Sequence, residues 1–231
     1  MTRLALLIAT EDSEACRENF EREIPIDIDA YDATASELPD LSAVDGAVIS
    51  GSRASSYWDE AWIDDLRAWL RDADEAGRPL LGVCFGHQIL AEALGGTVAD
   101  MGEYELGYHG IERREDCPLF DGVDDRFTAF ATHHDVVTDL PPGATLTAEN
   151  EYGVHGYRRG HAFGVQFHPE FDRETAVDLI GDKDLPAETI EAARATVTDE
   201  NVAVAKRAKV VFENFCSYVD RGAEEPAAAD D

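Results

Sequence analysis

The stretch Gly82-Val83-Cys84-Phe85-Gly86-His87-Gln88 constrains this chain more than any other, because it turns a strand into a helix on one residue. Pro79-Leu80-Leu81-Gly82-Val83 is a short apolar run of the kind that forms a buried strand. The stretch from Gln88 to Leu94 reads as a helix and is stopped by Gly95-Gly96. Glycines two residues either side of Cys84 suit a tight elbow, where Cβ atoms would crowd the turn. The pattern is the cysteine counterpart of the Gly-x-Ser-x-Gly elbow, which lifts a side chain above the C-terminal edge of a parallel sheet. A cysteine there stands at a helix N-terminus, whose dipole and free N–H groups favour the thiolate. Cys84 is therefore the candidate nucleophile.

A nucleophile needs a base and a group to orient that base. Ala162-Phe163-Gly164-Val165-Gln166-Phe167 alternates as a strand does, and Pro169 ends it. His168 then falls at the C-terminal edge of a strand, the same edge that carries the elbow. Glu170, two residues on, is placed to hold the imidazole in the tautomer that accepts a thiol proton. Alone, His168-Pro169-Glu170 would read equally well as a surface turn. The elbow gives it a role.

These two segments resemble the signature pair of the class I glutamine amidotransferases, the triad glutaminases found in GMP synthetase and related enzymes. Both the Gly-x-Cys-x-Gly-x-Gln elbow and the His-Pro-Glu stand here without substitution. Asp45-Gly46-Ala47-Val48-Ile49-Ser50-Gly51-Ser52 resembles the strand and loop that carries one oxyanion-hole amide. Thr132-His133-His134-Asp135-Val136-Val137 resembles the family's Ser-His-x-Asp-x-Val segment near the substrate pocket. The likeness runs from about residue 3 to residue 171. It implies a cysteine thioester formed from the side-chain amide of glutamine, with Cys84, His168 and Glu170 catalytic. It also implies an oxyanion hole from the N–H groups of Ser52 and Phe85, and substrate contacts from Gly51, from Gln88 and from the backbone of Thr132, His133 and His134. No metal or other cofactor is implied.

At the oxyanion loop the chain departs from the pattern. The family usually has Ser-Gly-Gly-Pro, and here the segment is Ser50-Gly51-Ser52-Arg53. Ser52 stands for a glycine that an unusual backbone angle would require, and Arg53 removes a rigid proline. The expectation is a hole formed differently, or on partner binding. This variant, with Tyr57-Trp58-Asp59-Glu60-Ala61-Trp62-Ile63 after it and Glu105-Leu106-Gly107-Tyr108 further on, resembles stand-alone amidotransferase-like proteins more closely. Those include the plant γ-glutamyl peptidases.

The remaining pattern predicts an α/β fold: an open, mostly parallel, flavodoxin-like sheet with helices on both faces and a small antiparallel patch. Strands are expected at residues 4–9, 24–30 and 47–49, with a helix at 13–23 between the first two. Trp62, Ile63, Leu66, Trp69, Leu70 and Ala73 form an apolar helical face opposite Asp64, Asp65, Arg67 and Asp72. Pieces at 110–113, 127–131 and 144–148 extend the sheet beside the site. We expect one domain over residues 1–222, with 171–222 a helical C-terminal extension covering the sheet, rimming the pocket or offering a dimer face. Helices are expected at 173–180 and 186–197, and a third capped at Thr198 and running to Tyr218. Residues 223–231 form an acidic tail expected to be disordered.

The chain carries 49 acidic and 19 basic residues, a formal charge of −30. The acids are spread over every segment, which excludes an acidic interaction arm and leaves no basic face for nucleic acid. Dispersed acids on a globular pattern point to a protein adapted to molar salt, where a screening length of about 3 Å quiets the self-repulsion. Cys16, Cys84, Cys117 and Cys216 lie far apart without a Cys-x-x-Cys pair, arguing against structural zinc and for a reducing cytoplasm. The short apolar start, with Arg3 before a polar break at Thr10, reads as neither signal peptide nor membrane span. His133-His134-Asp135 invites a metal reading, but that stretch matches the amidotransferase segment.

Three functions follow. The first is a glutaminase giving glutamate and ammonia, with a separate synthetase chain such as GMP synthetase as its partner. The second is a γ-glutamyl peptidase needing no partner. The third, a non-catalytic binding or regulatory domain of the same fold, gives no reason to keep Cys84, His168 and Glu170 together.

Overall fold

The computed structural model describes residues 2–222; the expected acidic tail at 223–231 lies outside the described residues. Strand β1 (Leu4–Ile8), helix α1 (Ser13–Glu23), β2 (Ile28–Asp32), β3 (Gly46–Ile49), α2 (Ala61–Glu75), β4 (Leu80–Val83) and α3 (Phe85–Ala93) follow one another as short strands alternating with helices. Five further strands come next: β5 (Thr97–Arg113), β6 (Arg126–Asp139), β7 (Thr145–Asn150), β8 (Gly153–Arg159) and β9 (Ala162–Val165). Helices α4 (Arg173–Gly181), α5 (Ala187–Ala195), α6 (Asp199–Ala205) and α7 (Val210–Gly222) complete the described residues.

All nine strands join one sheet in the order β2-β1-β3-β4-β9-β8-β7-β5-β6. It is parallel from β2 through β9 and antiparallel from β9 to β6. The antiparallel part is larger than the short pieces in the sequence suggest. Polar residues interrupt the alternation of β5 and β6, so only fragments of those long strands stand out.

Every residue of β1 is buried, and its side chains alternate between two apolar clusters. Leu4, Leu6 and Ile8 meet α1 and α7, where Phe20 packs edge-on against Phe212; Ala5 and Leu7 meet α2 and α3. A strand covered on both faces cannot alternate apolar with polar, and this one does not. Helix α2 buries Ile63, Leu66, Trp69, Leu70 and Ala73, the face its spacing predicts. Trp69 also donates its indole N–H to the Pro39 carbonyl at 2.8 Å.

Two boundaries move for local reasons. The second strand begins at Ile28 rather than Ile24, because Ile24 N–H closes α1 on Phe20 O and Pro25 has no N–H to pair. Thr198 does cap a helix, accepting from Asn201 N–H. The expected long third helix, however, breaks into α6, a 3₁₀ turn at Lys206–Lys209, and α7. Val202 and Ala205 pack with the apolar cluster on the antiparallel half, whereas Val211, Phe212 and Phe215 pack on the parallel half. One straight helix cannot serve both faces, and the tighter turn makes the bend.

The outward faces carry the charge: Asp64, Asp65 and Asp72 on α2 and Glu188 and Glu191 on α5 are exposed. With a formal charge of −30 on this surface, stability should depend on screening. Between about 0.1 M and about 2 M KCl we expect Tm to rise by roughly 10 °C or more. Thermal denaturation across that series checks it, and an unchanged Tm contradicts the salt-adaptation reading. Among the described residues, no helix is long and apolar enough to cross a membrane.

Candidate active site

β4 ends at Val83 and α3 starts at Phe85, so Cys84 alone makes the reversal, with φ 54° and ψ −108°. A residue with a Cβ is strained in that region. The flanking glycines allow the chain to close around it. A Cβ on Gly82 would lie 2.3 Å from Gly86 O, and one on Gly86 would lie 2.3 Å from Ile49 O. Cys84 N–H donates to Val165 O at 2.9 Å, which ties the elbow to β9.

His168 lies just past the end of β9. The antiparallel half of the sheet curls back over that end, so that His168 N–H donates to Phe130 O of β6 at 2.8 Å. The imidazole stacks on Phe171, with centroids 4.3 Å apart and planes 7° apart. Its Nδ1–H donates to Glu170 Oε1 at 2.7 Å. Nε2 is buried, has no hydrogen-bond partner among the described residues, and is the nitrogen left for the sulfur. A Cβ on Gly51 would lie 3.0 Å from His168 Cε1 and 3.6 Å from Cys84 Cβ, so the ring and the Cys84 side chain both come up against that glycine. Burial disfavours the imidazolium, but the Glu170 carboxylate and the Cys84 sulfur outweigh it and push His168 up to about 10. Glu170 is buried in turn, and Arg22 Nη2 holds its backbone carbonyl at 2.6 Å.

Burial pushes Cys16 up to about 12 and Cys216 up to about 11, and it raises Cys117 as well. All three stay thiols at neutral pH.

The Ser50-Gly51-Ser52 loop is fastened from below. Ser50 Oγ accepts from Ala9 N–H at 2.9 Å, and Ser50 O accepts from Gly86 N–H at 3.1 Å. Ser36 and Cys84 are the non-glycine residues with positive φ among those described, so Ser52 has an ordinary backbone angle. The serine therefore carries no strain where a glycine was expected. Its Oγ accepts from Ala54 N–H at 3.1 Å, a side-chain turn that braces the loop in the absence of proline. The N–H groups of Ser52 and Phe85 have no acceptor among the described residues.

The expected substrate residues divide. Gly51 lies beside the His168 ring and the Cys84 side chain, and the Thr132 carbonyl lies 3.9 Å from Cys84 Sγ. Gln88 is buried, and its amide nitrogen is spent on Asp135 O and Gln166 Oε1, both at 3.0 Å. The His133 ring points away from the sulfur: its Nδ1 is 2.8 Å from Asp135 O and its Nε2 is 2.6 Å from Glu105 Oε2. Both partners are oxygens, so the ring is held from both sides. His134 is half exposed, with Nδ1 3.1 Å from Asp135 Oδ1.

Behind His133 lies a cluster the motifs do not announce as a unit. Glu105 is fully buried and accepts from His133, from His155 Nε2 at 2.9 Å and from Asn150 Nδ2 at 2.6 Å. Burial opposes the carboxylate charge, but the two imidazoles hold Glu105 well below the usual carboxylate range. Glu105, His133 and His155 also form a set that could ligate a metal ion. A metal bound at about 2.0–2.2 Å keeps its donor atoms about 3 Å or more apart. The observed 2.6 and 2.9 Å are hydrogen-bond distances instead. Glu105-Leu106-Gly107-Tyr108 was visible in the sequence; its partners His155 and Asn150 had no signal.

Residues 13–183 match the family model for "Glutamine amidotransferase class-I". The chain belongs to that family. Among curated relatives, a GMP synthase (glutamine-hydrolysing) of Thermomicrobium roseum is 39% identical over 141 residues, covering 61% of this chain and 26% of that protein. Gamma-glutamyl peptidase 5 of Arabidopsis thaliana is 30% identical over 199 residues, covering 77% of this chain and 79% of the peptidase. The chain thus spans about a quarter of the first relative's length and most of the second's. A solved glutamine amidotransferase from Thermotoga maritima superposes with a TM-score of 0.78 at 24% identity, covering 93% of this chain and 97% of that one. That likeness shows the shared fold, the flavodoxin-like sheet of class I amidotransferases.

Proposed function

We propose that this chain hydrolyses γ-glutamyl amide bonds, with Cys84 as nucleophile, His168 as proton carrier and Glu170 as its orienting carboxylate. The His168 ring and the Cys84 side chain both lying against Gly51, with Nε2 left free, supports the reading. The Cys84 thiolate attacks the δ-carbon, forming the C–S bond and placing the carbonyl electron pair on oxygen. The N–H groups of Phe85 and Ser52 are the donors for that oxyanion. As the C–N bond breaks, His168 passes its proton to the departing nitrogen. Water then attacks the thioester, its proton passes to His168, and glutamate leaves. Gln88 and His133 are committed to the framework, so they act by holding the pocket wall that offers the Gly51 and Thr132 backbone to substrate.

The relatives divide the substrate. GMP synthase points to glutamine, with ammonia passed to a synthetase; the peptidases point to γ-glutamyl peptides. The match to Gamma-glutamyl peptidase 3 of Arabidopsis thaliana, over 95% of this chain and 97% of that protein, favours the second. Glutamate release from glutamine and from γ-glutamyl-glycine, measured side by side in molar KCl, tests both. We expect kcat/KM for the peptide to exceed that for glutamine about tenfold (about 1.4 kcal/mol). A preference for glutamine restores the glutaminase reading, and no glutamate from either contradicts the proposed hydrolysis.

A further inference from the structure

The pairing of β5 with β6 jumps from Asp100↔Asp135 to Glu105↔His133, so residues 101–104 swell out opposite the single residue His134. Gly102, with φ +77°, makes the turn, and its N–H donates to Asp100 Oδ1 at 2.7 Å. The buried Glu105 cluster pins the base of this bulge. Tyr104, at its end, lies beside the His134 ring with centroids 5.8 Å apart, and its hydroxyl is 3.2 Å from Thr132 Oγ1. Thr132 is also the residue whose carbonyl faces the Cys84 sulfur. Lys183, on the link between α4 and α5, reaches over to donate to Tyr104 OH at 2.6 Å. The C-terminal helices therefore bring an ammonium group to the rim of the site.

That ammonium is unusually placed for this chain. Among the described residues no carboxylate lies within ion-pair distance of Lys183, although acids outnumber bases 49 to 19. Lysine has three N–H donors, and the hydroxyl takes one. At contact range, where even molar salt does not screen, a second substrate carboxylate needs a cation beside it, whereas glutamine brings no second carboxylate. A γ-glutamyl peptide with an ordinary leaving amino acid carries one net negative charge. Its second carboxylate lies roughly 4 Å from the scissile carbon by bond geometry, on the leaving side of the bond.

Resting on the γ-glutamyl hydrolase reading above, we propose that Lys183 and Tyr104 form a subsite for the free carboxylate of the amino acid leaving from a γ-glutamyl peptide. Tyr104 holds the ammonium in place and Lys183 supplies the charge. The probes are γ-glutamyl-glycine and γ-glutamyl-glycinamide, which differ in that carboxylate alone. At fixed ionic strength, the wild-type chain should prefer the acid over the amide in kcat/KM. Lys183→Met should lower that preference about tenfold, mainly through KM, and Lys183→Arg should restore most of it. A preference unchanged in Lys183→Met, including one where both substrates are lost equally, overturns the subsite, as does a wild type indifferent to the carboxylate. If the wild type releases no glutamate from either compound, the hydrolase reading fails separately. The subsite is then decided by calorimetric Kd values for the two compounds on the Cys84→Ala chain, with and without Lys183→Met, and equal affinities overturn it.

Discussion

Cys84→Ala brings glutamate release down to background, a fall in kcat on the order of 10⁶-fold if the triad acts as a unit. The substitution tests the sulfur alone. Alanine keeps the Cβ, and hence the strained φ of 54°, so the elbow and its hydrogen bond to Val165 should persist with Tm unchanged. Cys84→Gly makes the contrast. It removes the strain as well as the nucleophile, and should gain about 1 kcal/mol of stability while being equally inactive. Denaturation midpoints beside rate assays check both, and residual turnover in Cys84→Ala above background would mean the chemistry lies elsewhere. The same constellation predicts a pH limit. His168 is raised above its ordinary 6.5 to about 10, so its charged form persists through neutral pH. Its contribution to stability is complete below about 6.5 and is lost as pH climbs through about 10. Activity should fall along the same limb, as the proton for the leaving nitrogen disappears. Glu170→Gln removes a carboxylate that favours the imidazolium, and should move that limb to lower pH.

The elbow could be read from the sequence because its requirements are local. Two glycines, an apolar run and a helix within a few residues leave little freedom, and Cys84 falls where they put it. His168 and Glu170 were legible for the same reason, both placed just past the end of one short apolar strand, β9. What stayed hidden depends on the curl of the antiparallel half. The place of the His133 ring had no signal: β5 crosses behind it and offers Glu105, so the ring is held away from the sulfur. Ser52 looked strained because a glycine is usual there; the loop instead takes an ordinary angle and braces itself through Oγ. Lys183 lies in a link with no pattern, and only the packing of α4 and α5 against Leu106 and Tyr108 carries it to the rim.

Beside Gly82→Ala, Gly86→Ala should be among the most destabilising single-methyl changes in the described residues. Its new Cβ would stand 2.3 Å from the Ile49 carbonyl oxygen and 2.8 Å from the carbonyl carbon. Both are backbone atoms in the middle of the parallel sheet, so no rotamer change can make room. Relief requires α3 to move off β3, which breaks the 3.1 Å bond from Gly86 N–H to Ser50 O. We expect a loss of about 3 kcal/mol or more. Activity in whatever folds should fall further than stability alone explains, since Ser50 precedes the loop proposed to supply an oxyanion donor. Gly110→Ala is the control: nothing lies within 4 Å of its Cβ position and its φ is not positive, so it should be neutral or gain a few tenths of a kcal/mol. Denaturant midpoints in molar KCl compare the two. Equal midpoints would mean that strand and helix can separate without cost, and the close approach that makes Cys84 an elbow residue would no longer be needed.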